Sequence, residues 1–166
     1  PPFFGSGFRF FFGGVILWSV ILYKRDFPSF KALPLQLYVQ FGLLNLTICY
    51  GLTYWATQFI YSSLSALIWA GFPLCVAVFS YFMLPDEILT KKKIISLFLG
   101  TIGVLLILRE GLNFKGDQVV IGIFMVVIAV IIAGYPNVYL KRYSNAVTSI
   151  HLNAVSQLIA GITLLI

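Results

Sequence analysis

Long apolar runs alternate along this chain with short stretches where charge is concentrated. The runs predict six helices: α1 over Phe3–Tyr23, α2 over Leu35–Phe59, α3 over Ser62–Leu84, α4 over Lys93–Leu108, α5 over Val119–Leu140 and α6 from Thr148 to Ile166. A helix rises about 1.5 Å per residue, so about 20 apolar residues cross a hydrocarbon core of about 30 Å. The runs therefore read as membrane spans. The frame is set by YSSLSALIWAGFPLCVAVFSYFML, the turn PDEILTKKK, and IISLFLGTIGVLLIL. Asp86, Glu87, Lys91, Lys92 and Lys93 crowd that turn. Charge so dense stays in water, which makes α3 and α4 a hairpin with its turn on one side of the bilayer.

The connectors sort by charge. Those after α1, α3 and α5 hold eight basic residues: Lys24, Arg25, Lys31, Lys91, Lys92, Lys93, Lys141 and Arg142. The opposite side has Arg9, Arg109 and Lys115. The imbalance places connectors 24–34, 85–92 and 141–147 in the cytoplasm, with α1 running inward and α6 outward. The net charge of +6 then reports topology and not nucleic-acid binding. Composition agrees: 60% of residues are hydrophobic and 10% charged, against about 25% charged in a soluble domain. Cys49 and Cys75 lie inside spans and read as small apolar side chains. The chain opens Pro-Pro-Phe-Phe without Met and ends within an apolar run, so a fragment of a longer protein is expected.

Polar residues inside spans carry the candidate chemistry. On a regular wheel, Gln36, Gln40, Thr47, Tyr54 and Gln58 of α2 fall within about 40° of one another, with Tyr50 and Gly51 beside them. Such a stripe faces a wet cavity or a neighbouring helix. Trp69 and Pro73 share one side of α3 with Ser62, Ser65 and Ser80, while Ser63, Ala66, Ala70 and Ala77 form a small-residue seam. Pro73 removes a backbone donor and permits a kink. In α5, Tyr135 and Asn137 flank Pro136, lining a cavity or capping a freed carbonyl. Arg9 lies about 9 Å into α1, either as a fixed positive charge at the outer part of a cavity or snorkelling to headgroups. The candidate solute-contacting set is thus Arg9, Gln40, Thr47, Tyr50, Tyr54, Gln58, Trp69, Tyr135 and Asn137. His151, the single histidine, reads as an interfacial hydrogen-bonding group.

An offset of 148 residues lays Leu158-Ile159-Ala160-Gly161 on Phe10-Phe11-Phe12-Gly13 and Gln157 on Arg9. The two helices cross in opposite senses, so the offset implies inverted repeats of five helices, a device of secondary transporters. The spans offer no HExxH motif and no acidic residue, and no serine stands beside an evident base. An intramembrane enzyme is therefore not expected, nor a metal or cofactor. A non-transporting helical scaffold remains the rival.

With Pro73 at mid-span, Glu87-Ile88 in the turn, Gly100 and Gly103 in α4 and Arg9-Phe10 in α1, the chain resembles the drug/metabolite transporter superfamily, in particular its EamA-type members. The turn differs in having Pro85-Asp86 where a Gly often precedes the Glu. The resemblance implies an all-α polytopic bundle, helices two to seven of a ten-helix protein with two inverted repeats. Residues 1–110 would complete the first repeat and 118–166 would open the second. It implies a secondary transporter in the cell membrane, exporting a metabolite, amino acid or drug-like solute. The runner-up is a nucleotide-sugar or phosphorylated-metabolite carrier. The expected partners are a small-molecule solute and the lipid bilayer, without nucleic acid; a homodimer is left open.

Overall fold

The computed structural model describes residues 2–84, 90–111 and 117–166, with side chains undescribed at 2, 93, 101, 104, 105, 107–111, 117 and 144. Residues 85–89 of the α3–α4 turn, with Asp86 and Glu87, and the segment 112–116 lie outside the described residues. Six helical spans stand where the apolar runs put them: α1 Pro2–Lys24, α2 Ala32–Ala56, α3 Ser62–Met83, α4 Lys91–Gly111, α5 Asp117–Arg142 and α6 Ser149–Leu165. No strand occurs among the described residues. By length and hydropathy α1, α2, α3 and α5 each suffice to cross a bilayer, and α6 is a shorter apolar helix.

The helix ends follow local chemistry. Arg25 takes a left-handed backbone (φ 53°) and stops α1. Extended backbone at Lys31, Tyr61 and Thr148 starts α2, α3 and α6. Two spans are irregular inside. Residues Phe41–Ile48 of α2 are wound as a π-helix, with the Cys49 amide bonding back five residues to Leu44. In α3 the ladder is interrupted at Ala70 and Gly71, just before Pro73, which has no amide hydrogen to offer the Trp69 carbonyl.

The packing order is read from paired positions. Helices α1 and α6 run antiparallel: a Cβ on Gly7 would meet Leu165, one on Gly14 would meet Leu158, and one on Gly161 would lie 2.6 Å from the Phe11 amide nitrogen. That last approach is backbone to backbone and requires glycine. Helix α2 lies parallel to α6, with the Ser156 hydroxyl donating to the Tyr38 carbonyl at 2.9 Å and Gly42 against Ile159. Helix α5 lies antiparallel to α2, through Asn45 with Asn137, Cys49 with Ala129 and Ala133, and Ala56 with Gly122. It runs parallel to α3, with Leu64 and Val126 in one cluster and Phe79 against Gly134. Helix α4 packs on α3 at the edge. These senses are those of strict alternation across a membrane, so Arg25, Leu84 and Tyr143, which follow α1, α3 and α5, stand at one end of the bundle. At that end His151 Nε2 donates to the Asp26 carbonyl at 2.8 Å, with Asp26 Oδ2 at 3.3 Å.

Candidate functional site

A cavity of about 490 Å³ opens between α2 and the first half of α3, lined by Tyr50, Thr53, Tyr54, Thr57, Ser62, Ser65, Ala66 and Trp69. Aromatic faces make its floor and hydroxyls its wall; none of these side chains is charged. On α2 the lining residues Tyr50, Thr53, Tyr54 and Thr57 follow the i, i+3, i+4, i+7 pattern of one helix face.

The site is braced. The Trp69 indole nitrogen donates to Thr53 Oγ1 at 3.1 Å, and that hydroxyl donates to the Cys49 carbonyl at 2.7 Å. Tyr50 stands between two rings, edge-on to Phe10 at 5.0 Å and tilted against Trp69 at 6.4 Å. Phe72 continues the series 5.8 Å from Trp69. Ser65 is buried and still borders the cavity. The floor is therefore fixed from α1, α2 and α3 together, while the hydroxyls of Thr57 and Ser62 sit at the end near the 57–61 link.

Of the residues singled out by sequence, Tyr50, Tyr54 and Trp69 meet at this cavity. Thr47 instead faces α6, its hydroxyl 2.9 Å from that of Thr163 and bonded at 3.0 Å to the Gly42 carbonyl. Asn137 donates to Asn45 Oδ1 at 2.9 Å and to the Ala133 carbonyl at 2.8 Å, tying α5 to the π segment. Gln40 is half-buried, and its Oε1 has no partner among the described residues. Gln58 is exposed beyond the end of α2. Tyr135 heads a ladder on α5, stacked at 5.9 Å on Tyr139, which lies 5.0 Å from Tyr143. Arg9 is exposed on α1 and is not among the cavity-lining residues; its neighbour Phe10 is the one that reaches Tyr50.

The π segment explains why the predicted α2 stripe divides. A turn closed from i to i+5 holds one extra residue, so positions after it are rotated by about 100° from a regular wheel. Tyr54 is carried away from the Gln36–Gln40 face and toward α3. Asn45, Thr53 and Thr57 were not among the predicted residues, although the spacing of Tyr50, Thr53, Tyr54 and Thr57 was visible as a polar face. Asn45 lies off the wheel stripe, and its signal was an uncompensated amide at mid-span.

Comparison with known proteins bears on this arrangement. The uncharacterized transporter YoaV of Bacillus subtilis is 29% identical over the full chain and 56% of its own length. The uncharacterized transporter YvbV of the same organism is 31% identical over the full chain and 53% of its own length. A protein of Chlamydia muridarum named S-adenosylmethionine/S-adenosylhomocysteine transporter is 29% identical over 97% of this chain and 52% of its own. The chain thus spans about half the length of the curated relatives it matches. No solved structure matches it significantly. The chain is part of a multi-pass cell-membrane protein, as its apolar helices and these relatives require. The model of the EamA-like transporter family matches residues 1–109, from α1 through nearly all of α4, and the chain belongs to that family.

Proposed function

We propose that the protein containing this chain is a secondary transporter that exports a small organic solute by alternating access, and that the cavity between α2 and α3 is part of its path. The observation that carries this reading is the uncharged, aromatic-floored, hydroxyl-walled cavity of about 490 Å³. Such walls suit a metabolite, amino acid or drug-like molecule with a flat or cationic portion that rests on Tyr50 and Trp69. The solute named for the chlamydial relative has a flat ring and is of that kind. A phosphorylated solute fits less well, because Arg9 does not line the cavity. The cation-rich connectors are taken as cytoplasmic. The protein acts by transport and not catalysis.

The domain division is part of this reading. Residues 1–110 would complete one repeat and 118–166 begin its inverted partner. The register of α1 against α6 supports this division: with the 148-residue offset, the two repeats would exchange about an axis beside Phe12 and Ala160. The close approach of Gly161 to the Phe11 backbone lies within a residue of that point.

The test is cysteine accessibility in the full-length protein in intact cells, with Cys49 and Cys75 replaced. Single cysteines at Tyr54, Thr57 and Ser62 are exposed to a small water-soluble thiol reagent, with the buried Ala129 as the silent control. Labelling at the three positions, slowed by a transported solute, supports the reading. Silence at all three removes the cavity from the path.

A further inference from the structure

A second recess lies on an exposed side of the bundle, between the later half of α3 and the start of α4. It is an apolar groove of about 340 Å³ walled by Leu74, Ala77, Val78 and Tyr81 from α3 and by Ile94 and Phe98 from α4, among others. Its walls are exposed: Val78 at 55% and Phe98 at 67%. From Leu74 to Tyr81 it runs about 10 Å along α3, much of the roughly 15 Å depth of one bilayer leaflet.

Cations stand at its mouth. Lys91 is one turn before Ile94 and two before Phe98, so it shares the groove-facing side of α4. Lys91 and Lys92 are both exposed. The amides of the first α4 turn add the positive end of the helix dipole beside them. Tyr81 closes the α3 wall one turn from the connector, at the depth where phenols meet headgroups. Asp86 and Glu87 of the connector lie outside the described residues.

We infer that this groove is a binding site for one anionic phospholipid, with an acyl chain between α3 and α4 and the headgroup phosphate against Lys91 and Lys92. A zwitterionic lipid would fill the groove equally well but would gain nothing from the lysines. The charge at the mouth therefore selects the occupant, and the site is independent of whichever solute the protein carries.

The test uses full-length protein reconstituted with equal phosphatidylglycerol and phosphatidylcholine, then extracted and read by native mass spectrometry for retained lipid. The wild type is expected to retain phosphatidylglycerol in preference. The paired substitutions Lys91→Gln and Lys92→Gln should lower that preference by about fivefold per lysine while some lipid of either kind stays bound. Ala77→Trp, which fills the groove, should remove retention of both. Should that variant misfold, the exposed Val78→Trp makes the same test. Soluble glycerol phosphate at millimolar concentration should not displace the lipid. Equal retention of the two lipids by wild type, or unchanged retention in both groove-filling variants, overturns the proposal. Absence of any retained lipid overturns it too, because another helix would then occupy the groove.

Discussion

The indole of Trp69 is held by the hydroxyl of Thr53 at 3.1 Å, across the floor of the cavity between α2 and α3. The same hydroxyl is tied to the Cys49 carbonyl, so the ring is oriented by the backbone of α2. Thr53→Val keeps the shape and removes the acceptor. Membrane hydrogen bonds average about 0.6 kcal/mol, so solute affinity should fall about threefold, with Thr53→Ser restoring it. Transport or binding titrations on the two variants read this directly. Equal behaviour of Val and Ser would show that the bond does not orient the ring.

Asn45 and Asn137 join the π segment of α2 to α5. Asn137 also holds the Ala133 carbonyl, so replacing Asn45 leaves it one partner. Thermal unfolding of Asn45→Leu, Asn137→Leu and the double variant should give a coupling energy of about 0.6 kcal/mol, and no more than about 1.7. Strict additivity would remove the pair as a structural tie.

Glycines on different helices should respond in opposite ways. A Cβ at Gly161 would enter the Phe11 backbone, so Gly161→Ala should destabilise the protein by about 1–3 kcal/mol. Gly100 and Gly103 of α4 have nothing within 4 Å of an added Cβ. There alanine should be neutral or stabilise by up to about 1 kcal/mol. Melting curves in detergent distinguish these outcomes.

His151 fastens the 25–31 connector to α6 and borders a polar recess of about 260 Å³ with Phe27, Ser29, Tyr38, Asn145 and Thr148. His151→Leu removes the donor to the Asp26 carbonyl. A cysteine at Ser29 should then be labelled several-fold faster by a water-soluble reagent. An unchanged rate would mean that packing around Tyr38 alone holds the connector.

The spans were legible because hydrophobic length is a direct physical requirement of the bilayer. Their ends differ from expectation by only a few residues, as at Leu35 against Ala32 in α2. The packing of α1 on α6 was not read from the sequence, where only an offset relating the two helices stood out. What the pattern could not show was phase. A wheel assumes one angle per residue, and the π turn at Phe41–Ile48 breaks that assumption where the polar residues lie. Thr47 and Tyr54 were placed on one face and serve two, α6 and the cavity. Thr53 was passed over because its partner, Trp69, is brought to it only by tertiary packing.

The interruption at Ala70 and Gly71 makes α3 two rods on one thread. Ser62, Ser65, Ala66 and Trp69 of the first rod line the cavity, and Leu74, Ala77, Val78, Tyr81 and Phe82 of the second line the apolar groove. Any free energy shared between solute and bilayer through this helix must cross that joint. Thermodynamic linkage then makes the exchange mutual: a lipid that changes solute affinity by some factor has its own affinity changed by the same factor. A stiffer joint would raise that factor and a looser one would lower it, so with both proposed sites filled, residues 70–73 would be where occupancy of one is felt at the other.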